Sequence, residues 1–131
     1  LAALEYSTGK YYIGHTNFIN NISALKGFNP ISLADELQKS DLPITVNWLQ
    51  KWCYDLMSYR ISGKIRYHTY MKSRIEELAI KIDILLLAGY LRKLIDMQQL
   101  AHHPLNPRLF LEEVLISYAE LRASARNTKP K

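Results

Sequence analysis

Apolar residues in this chain recur at steps of three and four and almost never alternate at steps of two. A strand buries every second residue, whereas a helix buries a stripe at three- and four-residue intervals, so this spacing predicts helices and leaves little room for a sheet. The clearest stripe is Val46, Leu49, Trp52, Cys53, Leu56 and Met57, downstream of Pro43. Proline suits a first helical turn because its missing N–H would find no partner there. Ser62-Gly63 marks the expected end of that helix.

Punctuation of the same kind divides the rest. A segment from about Lys10 to Lys26 carries Tyr11, Phe18, Ile22 and Leu25 at helical spacing, with Gly27 as its expected terminator. Asn29-Pro30 opens a short helix through Leu33, Ala34 and Leu37, with Asp35 and Glu36 expected near its positive end. Ser73-Arg74-Ile75-Glu76 has the spacing of a capping box, expected within or near the start of a helix running to about Lys81. Asp83 is a natural N-cap for a helix whose face holds Ile84, Leu87, Ala88, Leu91, Leu94 and Ile95. Leu85 and Leu86 lie off that face, so the helix is expected to be covered on two sides. His102-His103-Pro104 ends it, and Asn106-Pro107 starts a last helix with the stripe Phe110, Leu111, Val114, Leu115 and Tyr118. Glu112 and Glu113 early in that helix and Arg122 late complement its dipole. The expectation is an all-α, single-domain bundle of about six helices over residues 1–122, followed by a basic tail over 123–131 expected to be disordered.

With 131 residues, 48% of them hydrophobic, the chain is long enough for one core. A single cysteine, Cys53, excludes an internal disulfide framework and fits a reducing, cytoplasmic setting. No run of apolar residues is long enough for a membrane span. The opening Leu1-Ala2-Ala3-Leu4-Glu5 has neither an initiating Met nor a basic signal-peptide start, and reads as the middle of a helix cut from something longer.

The net charge of +5 raises the question of nucleic acid. Arg122, Arg126, Lys129 and Lys131 near the C-terminus account for much of it. A second cluster, Arg60, Lys64, Arg66, Lys72 and Arg74, is interleaved with Tyr59, Tyr67, His68 and Tyr70. Such a segment has two readings: cations and rings that track a phosphate backbone and stack on bases, or a solvated loop whose tyrosines pack on the core.

Motifs of chemistry are missing. There is no G-x-x-x-x-G-K-[ST], G-x-G-x-x-G or G-x-S-x-G, so no phosphate-cradling loop or nucleophile elbow is expected, and no cofactor. Adjacent helical residues point about 100° apart, so His102 and His103 are not expected to chelate one metal ion. His15 and His68 lack ligand partners at a recognisable spacing. Cys53, between Trp52 and Leu56 on an apolar stripe, is expected to be inert. Trp48 and Trp52 share a face, either both as core or one as core and the other at a protein interface.

Two stretches carry a resemblance. Trp48–Leu56 (WLQKWCYDL), continuing through Ser62–His68 (SGKIRYH), and Leu100–Leu115 (LAHHPLNPRLFLEEVL) resemble the C-terminal region of delta-prime subunits of bacterial DNA polymerase III. Leu1–Ser7 also resembles the join that precedes this region in that family, and the likeness extends over most of Leu1–Leu121. The resemblance implies a non-enzymatic helical collar domain of a clamp loader. It would assemble with delta and gamma/tau subunits into a five-subunit ring acting indirectly on a sliding clamp and primed DNA, in the bacterial cytoplasm. In that family the ATPase-like modules, the trans-acting arginine motif and the zinc module lie N-terminal to the collar, so none is expected among these residues. Outward apolar residues Leu85, Leu86, Leu109 and Ile116 are the expected contacts with neighbouring subunits. Arg60, Lys64, Arg66, Lys72 and Arg74 are the contacts expected under the alternative reading of direct nucleic-acid binding.

Overall fold

The computed structural model describes residues 13–127, with side chains through Ala123. The described residues form six α-helices and no strand: α1 over 13–22, α2 Pro30–Leu37, α3 Leu42–Ser62, α4 Lys72–Ala79, α5 Ile84–Leu100 and α6 Pro107–Asn127. A 3-10 turn, Thr69–Met71, leads into α4. The all-α bundle expected from the apolar spacing is therefore the fold. Leu1–Ser7, Lys10, Tyr11 and residues 128–131 lie outside the described residues.

Helix starts follow local chemistry. The Asn29, Asp41, Asp83 and Asn106 side chains accept N–H groups of the first turns of α2, α3, α5 and α6, two of them in the case of Asp83 (Leu85 at 2.8 Å and Leu86 at 3.1 Å). Each satisfies a donor that the helix itself leaves unpaired. Gly63 ends α3 in the left-handed region, φ +75°, its N–H donating to the Tyr59 carbonyl at 2.8 Å.

The third helix is the centre of the core. It packs on α4 and α5, while α6 packs on α2 and α5. Trp52 and Trp48 are both buried, which resolves the pair as core. The Trp52 indole N–H donates to the Tyr118 hydroxyl at 3.0 Å, and that hydroxyl donates to the Ile22 carbonyl at 2.7 Å. One buried phenol thus ties α3, α6 and the end of α1 together, with its polar atom satisfied on both sides.

Four local expectations are corrected. The first helix stops at residue 22, short of Gly27, and Leu25 is exposed. Tertiary donors take over the carbonyls that a longer helix would have used: Tyr118 and Arg122 serve Ile22, Arg74 serves Ser23, and Arg122 also serves Ala24. Asp35 and Glu36 sit in the second half of α2, and Asp35 instead pairs with Arg108 at 3.4 Å. Ser73 does not cap α4, because the preceding 3-10 turn carries the chain directly into the helix and leaves Ser73 inside it. The buried face of α5 is Leu87, Tyr90, Leu94 and Met97. Ile95, Leu85 and Leu86 are exposed, so α3 and α6 cover the helix within this chain but leave the side of Leu85 and Leu86 open. Tyr90 reads as polar in a sequence, yet its ring is core because the hydroxyl donates to the Val114 carbonyl at 2.7 Å.

The last helix runs through Asn127, past residue 122 at which the composition predicts a tail. Arg122 is anchored on two carbonyls and stacks near the Phe28 and Tyr118 rings, and a helix already nucleated extends at little cost.

Candidate functional site

Two surfaces are distinctive: one built by the loop after α3, the other by exposed apolar side chains at the ends of α5 and α6.

The loop surface is organised from beneath by Asp55. This carboxylate is fully buried on α3 and accepts the backbone N–H groups of Arg66, Tyr67 and His68, at 3.0, 3.0 and 2.7 Å. Its Oδ2 also meets Nδ1 of the buried His68 at 2.8 Å. Burial alone would raise the Asp55 carboxyl; the hydrogen bonds from His68 and from the three backbone N–H groups outweigh it and hold the group below the usual carboxylate range. With Nδ1–H directed at Asp55, Nε2 of His68 faces Nε2 of His15 at 3.2 Å, joining α1 to the loop. Burial, then the neighbouring His68 and Lys51, lower the pKa of His15.

The basic cluster predicted from the sequence divides on this frame. Arg60 donates to the carbonyls of Ala79 and Ile82, at 3.0 and 2.6 Å, and so closes the turn between α4 and α5. Arg74 holds the Ser23 carbonyl at 3.1 Å. Lys72 faces Glu76 one turn along, at 3.9 Å. Lys64 and Arg66 remain on the exposed loop, with the Arg66 guanidinium 5.7 Å from the Tyr67 ring centre. Lys51 lies 5.4 Å from the same ring, and Tyr54 meets it edge-on at 5.8 Å. Of the cluster's tyrosines, Tyr59 packs partly buried against the core, whereas Tyr67 and Tyr70 are exposed, as is Tyr54 on α3, so the core-packing reading holds for Tyr59 alone. His68 also packs inward, edge-on to Trp52 at 5.6 Å.

Sequence reasoning missed Asp55, Lys51 and Tyr54. An acid between Cys53 and Leu56 on an otherwise apolar stripe is the signal that marks Asp55. The three-residue step from Lys51 to Tyr54 marks the other two.

The apolar surface falls in two places. Leu85 is 79% exposed and Leu86 48% exposed at the start of α5. Ile61 and Ile80, also exposed and not singled out by the sequence, adjoin the junction where Arg60 joins α3 to the α4–α5 turn. Leu109 is exposed in the first turn of α6, beside the fully exposed Leu105. Ile116 is only partly exposed. Short connection and cross-helix bonds (Tyr90 to Val114, Lys93 to Glu113 at 2.6 Å) make α5 and α6 an antiparallel pair. Leu85 and Leu86 therefore stand toward one end of that pair and Leu109 toward the other.

Burial pushes the Cys53 thiol far up, so it is held as the unreactive neutral form. Among the described residues no group of three or more His, Cys, Asp or Glu side chains is placed to hold a metal ion, and no helix is long and apolar enough to cross a membrane. His102 and His103 are exposed.

Comparison with the curated proteins and with solved structures finds no match. A family model, described as DNA polymerase III, delta subunit, C terminal, matches residues 14–120. That span includes both stretches on which the delta-prime resemblance rests, and every helix just described apart from the two ends. The chain belongs to the family of C-terminal domains of the DNA polymerase III delta subunit, a non-catalytic assembly family, as the resemblance to the delta-prime type implied.

Proposed function

We propose that this chain is the collar domain of a delta-prime clamp-loader protein, joining delta and gamma/tau subunits in a five-subunit ring that acts on the sliding clamp at primed DNA. The family match over residues 14–120 carries the reading. In this reading the bundle performs no chemistry and works in the bacterial cytoplasm, its helices packing first on one another and then on sister subunits. Tethering by a collar raises the effective concentration of the attached motor modules, so their weaker mutual contacts can open and close without dissociation.

The contacts proposed are Leu85 and Leu86 at the start of α5, and Leu109 with the exposed part of Ile116 on α6. Their support is exposure on well-capped helices, where a large apolar side chain gains nothing from water and about 1.5–3 kcal/mol when covered. Two separated patches suit a ring position, which requires a neighbour on each side. Replacing Leu85 and Leu86, or Leu109, with glutamate should weaken co-purification with the delta or gamma/tau collar while the helical circular dichroism and melting of the chain stay unchanged. Undiminished assembly by a folded double variant would remove these residues from the interface.

A further inference from the structure

The loop after α3 and the adjoining face of that helix carry a constellation apart from the contacts proposed above for ring assembly. Tyr67 is placed edge-on to Tyr54 at 5.8 Å, with Lys51 and Arg66 at 5.4 and 5.7 Å from its ring centre. Tyr70 continues the surface, edge-on to His68 at 6.0 Å. Lys64 is exposed on the same loop. The acid nearest in the chain, Asp55, is buried beneath the loop and turned to three backbone N–H groups and to His68, so its charge is not presented outward.

We infer that Tyr54 and Tyr67, with Lys51, Lys64 and Arg66, form a binding platform for single-stranded DNA. Exposed aromatic rings beside cations, and no outward acid from Asp55, are the chemistry that a flexible strand with unpaired bases matches: rings stack on bases, and cations meet the flanking phosphates. An acidic protein segment would match the charges and leave the ring faces unused. A duplex keeps its bases stacked inside and offers the rings nothing. The platform is preorganised, since Asp55 fixes the backbone of Arg66, Tyr67 and His68 from below. Of the five cations singled out in the sequence, Arg60 and Arg74 hold carbonyls and Lys72 faces Glu76, which leaves Lys64 and Arg66 for the strand and adds Lys51. DNA is chosen over RNA because the family acts in a DNA polymerase; binding itself does not depend on the ring contacts proposed above.

The test is fluorescence anisotropy of the chain with labelled oligothymidylate of about a dozen nucleotides, in low and rising salt, beside a duplex and a polyglutamate competitor. Single strands should bind in preference to duplex, with a log–log salt slope of about −2 for three phosphate contacts. Tyr54→Ala with Tyr67→Ala should weaken binding about tenfold or more while Tyr67→Phe retains it. Lys51→Gln with Arg66→Gln should flatten the slope. Circular dichroism of each variant reports that the helices remain. No binding at low salt overturns the inference, as does binding indifferent to the tyrosines. Equal preference for duplex, or displacement by polyglutamate at matched charge, overturns it in favour of a general polyanion surface. The same variants should assemble normally with delta and gamma/tau collars, so failure here and failure of the assembly reading are separate results.

Discussion

Asp55 carries a carboxylate at a position with no exposure, a costly arrangement unless every lone pair finds a donor. Here three backbone N–H groups and the His68 ring supply them. Asp55→Ala strands those donors and should cost about 3 kcal/mol or more in denaturant unfolding; an unchanged midpoint would contradict the role given to it. Asp55→Asn, which keeps an acceptor, should cost less. His15 adds a pH dependence. Its folded pKa lies below the ordinary 6.5, so the unfolded chain takes up the proton first. Stability from neutral His15 is therefore full above about pH 6.5 and is lost as pH falls from there through the depressed folded value. The Asp55 contribution is present above the unfolded carboxylate pKa and is lost only in stronger acid, as pH falls through its own depressed value. Thermal melting at stepped pH should show the upper loss in the parent chain and not in His15→Gln; identical profiles would contradict it. Asp55 left a signal in the sequence as an acid on an apolar stripe, but its partners did not, because His15 and His68 stand 53 residues apart and no periodicity relates them.

At the scale of elements, what was legible is what is local. Asn29-Pro30, Pro43, Gly63, Asp83 and Asn106-Pro107 each act through atoms within a few residues, and each does in the structure what its chemistry dictates. Where tertiary donors compete, local rules fail. The end of α1 moved because Tyr118, Arg122 and Arg74 arrive from other helices, and the Ser73 box is bypassed by the 3-10 turn. The face of α5 was ambiguous for a different reason. Leucine and isoleucine occur all around it, so spacing alone could not say which side this chain covers. Of the exposed apolar side chains, Leu85, Leu86 and Leu109 were legible as outward residues, whereas Ile61 and Ile80 were not, since only the Arg60 bridge brings their segments together. Asp83 caps the turn that carries Leu85 and Leu86, so Asp83→Ala should lower stability by about 1 kcal/mol and weaken assembly as well. Calorimetry with a pull-down distinguishes the two effects; a full loss of stability with normal assembly would separate the cap from the interface.

The whole molecule is a bundle whose interior is closed by a few buried polar links, chiefly Trp52 to Tyr118 to Ile22 and Tyr90 to Val114, and whose exterior leaves large apolar side chains uncovered. A single bundle with an inert cysteine and two separated apolar ends is suited to be held between neighbours. Its membership in the family of delta C-terminal domains links the chain to DNA polymerase III. The platform on the α3 loop lies apart from this role, and its partner is reached through charge and stacking instead of burial. The most direct measurement is the mass, by sedimentation or native mass spectrometry, of a mixture of this chain with the delta and gamma/tau collar domains of the same organism. A single species containing all three is the predicted result, and components that remain separate at concentrations where the delta and gamma/tau collars pair would contradict the assembly account.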